Sequence, residues 1–468
     1  MPSVWSSYAS GSVFTVNLIP ATPERRHEVQ AGTSDIGPNK TSFDLAVVQF
    51  KDDGTYLDPS QIDAADDGIR KARASKLNAN GALVIAFIHG WHHGANWKRS
   101  PSIAVSDPDG DDHFHSFRLV LESLALREAE RHGYGGKKAG RRVVGIYVAW
   151  NGDPEGSWIS KIPLITHTTF WGRYDVAEKI GGSAQFRESV RRIVNRTKEP
   201  VTVSSDQPPD FRPESPLVMI GHSMGALMLQ SAFAALLEDQ QQSLQHQRAQ
   251  QTVGAVKIRS GGALVSFPDI VLSLNSAADS AIAKRILKAL DQRNMTKTAA
   301  AGGIRYSPPI LMSVTSTGDT DTKDTWPKAK RGRTTDGHDS SLLTHTFALD
   351  NPVVTCNRAE AVDLGQNWHC LRRPQPPVAA TPTIPIDLPV RERNGLEDQA
   401  VPHARYTITP KGSIDEPHLM WLFQVPPEVI KNHNDIFNYR ARSLVLALIQ
   451  ASGAVASIAE NWEKSFEP

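Results

Sequence analysis

Short apolar runs recur along the chain at Val13 to Ile19, Phe43 to Phe50, Leu83 to Ile88, Val143 to Trp150, Leu217 to Ile220, Ile270 to Leu274, Ile310 to Thr315 and Leu419 to Val425. Their lengths and their content of Val, Ile, Leu and Phe fit strands rather than helices. From the third run onward the apolar residues are nearly continuous instead of alternating. That pattern predicts strands covered on both faces, as in a parallel sheet between helical layers. Helical spacing appears between the runs. Phe117, Leu121, Leu124 and Ala125 precede the fourth, Phe186, Val190, Ile193 and Val194 precede the fifth, and Leu227, Met228, Phe233, Leu236 and Leu237 follow it. Ile282, Ile286, Leu287 and Leu290 follow the sixth, and Ile436, Leu444, Leu446 and Ile449 come near the end. Strand and helix alternate, so the expected class is α/β. No helical pattern parts the first two runs, which are expected to form an antiparallel edge.

Two stretches break this rhythm. Thr202 to Pro216 is rich in Ser, Asp and Pro and reads as a loop. Residues 328–417 hold a Pro-rich stretch, Gln375 to Pro389, and both cysteines, Cys356 and Cys370. Lying between the seventh and eighth runs, this span is expected to be an insertion or cap within one domain of 1–468. The two cysteines fit no metal spacing, and either a disulfide or two free thiols suits them.

Composition narrows the class. Hydrophobic residues are 40%, charged residues 22% and aromatics 7%, which is ordinary for a globular chain. Lys and Arg number 51 against 50 Asp and Glu, leaving a formal charge of +1. That balance argues against nucleic acid as a partner, because polyanions are met by a basic surplus. No run reaches the roughly 18 apolar residues of a membrane span, so stable membrane insertion is not expected. The N-terminus lacks a basic region followed by an apolar core. The expected location is cytoplasmic, or outside by a route without such a signal, and the oligomeric state stays open.

The candidate chemistry centres on Gly221-His222-Ser223-Met224-Gly225, a G-x-S-x-G between the fifth run and a helix. A sharp strand-to-helix turn strains the serine backbone, and glycines two residues to either side remove Cβ atoms that would clash with it. Ser223 is thereby the candidate nucleophile, at a helix N-terminus that favours developing negative charge. The third run ends in His89-Gly90-Trp91-His92-His93-Gly94. A main-chain N–H of Trp91, or of His92, is expected to join Met224 N–H as the oxyanion donors. A metal site drawn from these histidines and Asp111, His113 and His115 is the rival, but the spacing matches no helical ligand pattern. His89 reads as structural.

A serine nucleophile needs a base, and the base an orienting carboxylate. The seventh run leads into Ser316-Thr317-Gly318-Asp319-Thr320-Asp321. Asp319 stands closest to the strand end and is the first candidate acid, with Asp321 and Asp279 as alternatives. His433 follows the eighth run and is the candidate base. His418 precedes that strand, while His338, His345 and His403 fall in the insertion and read as surface or cap residues. His92, His222 and Trp171 are the candidate substrate-binding residues.

Together these residues resemble the α/β-hydrolase superfamily in its serine esterase and lipase branch, over about Phe43 to Ile449. His89-Gly90-Trp91, Phe170-Trp171-Gly172-Arg173, Leu274-Asn275-Ser276-Ala277 and Ser316-Thr317-Gly318-Asp319 resemble segments of uncharacterised hydrolases with an HGW-type loop. The chain departs from the lipase pattern at Ala226, where a further glycine is common. The resemblance implies an eight-stranded, mostly parallel sheet with a long insertion between strands seven and eight. It also implies hydrolysis of small-molecule or lipid esters through a Ser-His-Asp triad, with no cofactor and no metal. A thioesterase, a phospholipase or toxin effector, and a non-catalytic binding module on the same fold are the alternatives. Ser157 to Trp171 is rich in apolar residues, and either lines an acyl site as a lid or packs as a buried connection. Asp107 to Asp112 lacks the late glutamate of a calcium loop, since Arg118 holds that position.

Overall fold

A computed structural model describes residues 30–34, 41–74, 81–91, 93, 112–131, 141–152, 163–199, 215–251, 268–291, 309–329, 333–354, 361–363, 368–370, 384–389, 403–411 and 419–451. The chain begins with β1 (Gln30–Ser34), β2 (Thr41–Phe50), α1 (Ser60–Ala74), β3 (Ala82–Ile88), α2 (Asp112–Arg131) and β4 (Arg142–Trp150). Two helices follow in succession, α3 (Pro163–Gly182) and α4 (Ala184–Lys198). Then come β5 (Leu217–His222), α5 (Met224–Gln251), β6 (Ile270–Leu274), α6 (Ser280–Asp291) and β7 (Leu311–Ser316). The order within the main sheet is β1-β2-β4-β3-β5-β6-β7 and finally β13 (Met420–Val425), which α8 (Tyr439–Ala451) follows.

Within this sheet the described pairings from β2 across to β13 are parallel, and β1 runs antiparallel against β2. This is a mostly parallel sheet flanked by helices. The first apolar run, Val13 to Ile19, lies outside the described residues; the antiparallel edge is instead built by Gln30–Ser34, with Ala31 opposite Asp44.

The two-sided burial follows from strand period. In β3, Val84, Ala86 and Ile88 point to one buried cluster while Leu83, Ile85 and Phe87 point to the other. The first cluster is completed by α1, α3, α4, α5 and α6 through residues such as Ile69, Tyr174, Phe186, Leu227 and Ile286. The second is completed by α2 and α8 through Phe117, Leu121, Leu444 and Leu448. Phe87 stacks on Phe117 at 5.5 Å between ring centroids and meets Phe437 at 5.3 Å. Truncating such a fully buried ring to Ala costs about 3–5 kcal/mol.

The stretch between β7 and β13 carries a π-helical turn at Asp321–Thr325, α7 (Trp326–Ala329), β8 (His345–Val354), β9 (Ala361–Asp363), β10 (Trp368–Cys370), β11 (Ile384–Pro389) and β12 (His403–Pro410). Strands β11, β12 and β8 form an antiparallel sheet in that order, and β9 pairs with β10. Ile386, Leu388, Tyr406 and Ile408 from this small sheet enter the same buried cluster as Trp421, Phe423 and Leu444. The span is thus tied into the core beside β13. His345, expected to be a surface or cap residue, lies in the inserted stretch and is buried, its ring 4.4 Å from that of Trp421. Cys356 lies outside the described residues, as does the side chain of Cys370. Among the described residues no helix is long and apolar enough to cross a membrane.

Candidate active site

Five loops converge at the C-terminal edge of the parallel strands, where open α/β sheets collect their reactive groups. Ser223 stands between β5 and α5, with φ at 54°. That left-handed backbone is sustained by Ser223 N–H donating to Leu274 O at 3.1 Å, while Ser223 O accepts from Ala226 and Ala277 N–H. Each glycine of the turn has its steric reason. A Cβ on Gly221 would come within 2.6 Å of Ala226 Cα, and one on Gly225 would strike the Ile88 and His89 carbonyl oxygens. Ala226 is itself fully buried, so its own methyl fits the turn.

Ser223, His433 and Asp319 are brought together. Ser223 Oγ lies 2.7 Å from His433 Nε2, and His433 Nδ1 lies 3.0 Å from both oxygens of Asp319. The serine hydroxyl donates to Nε2 when Nδ1 carries the imidazole proton and donates it to the carboxylate. Asp319 is fully buried, whereas His433 keeps one edge open to solvent. Its carboxylate oxygens also accept from Thr322 Oγ1 at 2.6 Å and from the N–H groups of Asp321 and Thr322. Burial alone raises the Asp319 pKa, but His433 and the Thr322 donors outweigh it and hold the group below the usual carboxylate range. Burial likewise works against protonation of His433, and the Asp319 charge and hydrogen bond reverse this, holding the imidazole above its ordinary value.

The alternative carboxylates stand elsewhere or in support. Asp279 caps the start of α6 through Ala281 N–H and pairs with Arg333. Asp321 offers its carboxylate within 4.8 Å of the Asp319 and His433 donor atoms. Those two already face each other across hydrogen bonds, so the three groups form an acid–base pair with a neighbouring carboxylate.

The loop after β3 approaches the serine closely. A Cβ on Gly90 would come within 2.8 Å of Ser223 Cβ and 2.9 Å of His222 Nδ1, so only glycine lets this loop pass. Trp91 follows at once, and Met224 opens α5 on the other side of the serine. His89 is structural: Trp150 N–H donates to its Nε2 at 3.1 Å, its Nδ1 lies 2.8 Å from Gly90 O, and it stacks on Trp150.

His222 departs from its expected substrate-facing role. It is fully buried, and its Nε2 lies 2.8 Å from the carbonyl oxygen of His433, to which it donates. Burial, reinforced by His433 and His93, pushes its pKa well below the ordinary histidine range, so it is neutral. His92 lies outside the described residues. Trp171 is partly exposed and packs edge-on against Phe170 at 4.8 Å, and Phe170 meets Trp91 at 5.2 Å. Residues 157–162 of the apolar segment Ser157 to Trp171 lie outside the described residues, and Pro163 opens α3.

Two supports escaped the sequence reading. Asn275, at φ 45°, donates through Nδ2 to the carbonyls of Asn432 at 3.1 Å and His433 at 2.9 Å, and its Oδ1 accepts from Ser316 N–H at 2.8 Å. It ties the His433 loop to the ends of β6 and β7. The signal was its place directly after a buried strand, where Asn tolerates positive φ. The second is the turn at Asp336 to His338, of which only His338 was singled out in the sequence, as a surface or cap residue. Asp336 accepts from Gln230 Nε2 at 2.7 Å, Ser313 Oγ at 2.8 Å and Gly337 N–H at 2.9 Å. Burial raises its pKa above the usual carboxylate value despite these donors.

No family model matches the chain, and no curated protein matches it. Among solved structures, the Tle1 effector bound to the VgrG spike from the Type 6 secretion system matches with 10% identity and a TM-score of 0.19. That match covers 81% of this chain and 74% of the other, and a score so low carries no argument about fold or function.

Proposed function

We propose that the chain is a serine hydrolase of carboxylic esters, working through an acyl-enzyme on an α/β-hydrolase fold. The observation that carries this reading is the unbroken hydrogen-bonded line from Ser223 Oγ through His433 to the buried Asp319, with the serine on a left-handed turn. His433 Nε2 takes the hydroxyl proton as Oγ attacks the ester carbonyl carbon, and Asp319 stabilises the imidazolium that forms. The carbonyl oxygen becomes an oxyanion, held by the main-chain N–H groups of Trp91 and Met224 at the α5 N-terminus. The alcohol leaves with the proton from His433. Water, deprotonated by the same base, then attacks the acyl carbon and frees Ser223.

The aromatic group Trp91, Phe170 and Trp171 beside the Gly90 loop supports an apolar acyl chain. A fluorophosphonate probe tests the nucleophile: the chain is expected to be labelled, and Ser223→Ala to be unlabelled. Equal labelling of both, or none of the folded chain, ends the reading. A series of p-nitrophenyl esters then tests the acyl preference, with activity expected to rise from acetyl to medium chains. A steady fall from acetyl upward removes the apolar-acyl reading while leaving the hydrolase.

A further inference from the structure

Asp319 sits in more than a pair with His433. Thr322 has one hydroxyl proton, and Asp319 Oδ2, an acceptor-only carboxylate oxygen 2.6 Å away, takes it. Thr322 Oγ1 also lies 3.1 Å from His338 Nε2, so that nitrogen must be the donor. The other ring nitrogen, Nδ1, lies 3.4 Å from Gln424 Nε2, and this amide also donates to Gly337 O at 2.9 Å. The Gly337 carbonyl fixes which end of the Gln424 amide is the nitrogen, and that nitrogen donates only. His338 Nδ1 is therefore the acceptor. One neutral tautomer, protonated at Nε2, satisfies both neighbours.

We propose that His338 is a positioning residue for the reaction centre, acting through the Thr322 hydroxyl to aim the Asp319 carboxylate at His433. The inference rests on the hydrolase reading above. Its logic is directional. The Thr322 hydroxyl has one proton and two neighbours in reach, and His338 Nε2–H, by donating to its lone pair, leaves Asp319 as the acceptor of that proton. The carboxylate then has fixed donors on both oxygens, Thr322 Oγ1 on one and the Asp321 and Thr322 N–H groups on the other.

His338 is held where this requires by a buried turn. Asp336 N–H donates to Ala278 O at 3.0 Å, His338 N–H donates to Thr335 O at 3.1 Å, and Asp336 is anchored on Gln230 and Ser313. A Cβ on Gly337 would overlap Thr315. Burial favours the neutral ring, as do Lys323 and His433, against the opposite pull of Asp319 and Asp324. The residue belongs to the stretch inserted between β7 and β13, so the insertion contributes to the reaction centre.

The test uses the full chain and the second-order rate of Ser223 labelling by a fluorophosphonate, measured from pH 5 to 9, with thermal melting to establish folding. Thr322→Val keeps the shape and removes the donor, and labelling on the alkaline plateau is expected to slow about tenfold, the size of one charge-assisted hydrogen bond. His338→Asn, whose amide is too short to reach Thr322, is expected to slow it about threefold. His338→Gln places an N–H where Nε2 stands and is expected to recover most of the rate. In the Thr322→Val background His338→Asn is expected to add nothing. Equal rates for Asn and Gln, an unchanged rate for His338→Asn, or full additivity with Thr322→Val overturns the proposal. Failure of the parent chain to react overturns the hydrolase reading and this proposal with it, whereas a reactive parent with indifferent His338 variants overturns this proposal alone.

Discussion

Replacing Asn275 tests whether the histidine loop is held by one side chain. Asn275→Ala removes three hydrogen bonds, to Asn432 O, to His433 O and from Ser316 N–H. At about 1 kcal/mol each these amount to about 3 kcal/mol. The His433 carbonyl keeps the His222 donor at 2.8 Å, so it is not stranded. Ala must also adopt φ 45°, which adds about 1 kcal/mol. The expected loss is about 4 kcal/mol for Ala and about 3 kcal/mol for Gly, which accepts positive φ without strain. Asn275→Asp accepts this backbone angle and can still accept from Ser316. It sets an oxygen against two carbonyl oxygens where Nδ2 stood, so the loop should be displaced and Ser223 labelling slowed by about a hundredfold. Urea unfolding gives the stabilities, and fluorophosphonate labelling gives the rate. Gly less stable than Ala, Ala within about 1 kcal/mol of the parent, or Asp labelling at the parental rate would each refute the reasoning.

Three further outcomes follow from the same geometry. In the proposed mechanism labelling of Ser223 requires neutral His433, so the rate is expected to fall as pH drops through the raised pKa of that group; Asp319→Asn removes the cause of the raising, moving the acid limb to lower pH while the plateau falls about ten-thousandfold. Gly90→Ala drives a methyl into Ser223 Cβ and His222 Nδ1, and is expected to abolish labelling with a melting temperature lowered by only a few degrees, read by calorimetry. His113 and His222 are buried neutral, with pKa values pushed well below the ordinary range first by burial and then by neighbouring histidines. The unfolded chain binds protons at these positions below about pH 6.5 and the folded chain does not, so stability is lost as pH falls from there. His113→Phe is expected to flatten that loss, measured as the urea midpoint at pH 5 against pH 7.5.

What was legible in the chain was local or ordered along it. Ser223 declared itself because the strand, the turn and the helix lie within a dozen residues, and the buried runs of β3 to β7 show both-face coverage directly. Where hydrophobicity is weak the reading failed. Gln30–Ser34 has the sequence QAGTS and pairs only on one side, so an edge strand appeared without an apolar run. The small sheet of the insertion was hidden by its prolines. Yet Ile384, Ile386 and Leu388 alternate at period two, and Pro385 and Pro389 sit on β11, which is an edge strand, as such residues must. His338 and Gln424 carried no signal at all. Their part depends on hydrogen bonds between a turn and a strand that share no pattern along the chain.

The long separation of Asp319 from His433 in the chain does not separate them in space, and the sheet explains why. Strands β7 and β13 are adjacent and parallel, with Thr315 beside Gln424 and Ser316 beside Val425. Any chain that completes this pairing delivers the loops after both strands to one edge, whatever lies between. The entropic cost of closing a longer loop grows only logarithmically, about 0.6 kcal/mol for each doubling, so an insertion there is cheap once the strand pair forms. The further contacts lie in the loops themselves. Ser316 Oγ donates to Ile430 O, and a Cβ on Gly318 would come within 2.5 Å of Lys431 O, so the acid-bearing loop and the histidine-bearing loop lie directly against each other. The β7–β13 pairing thus sets no length for the chain between them, although the small sheet of that chain is itself packed into the core. The turn from Thr335 to His338 is not free, because Asp336 is buried on Ser313 of β7 and Gln230, and His338 contacts the Thr322 hydroxyl that donates to Asp319.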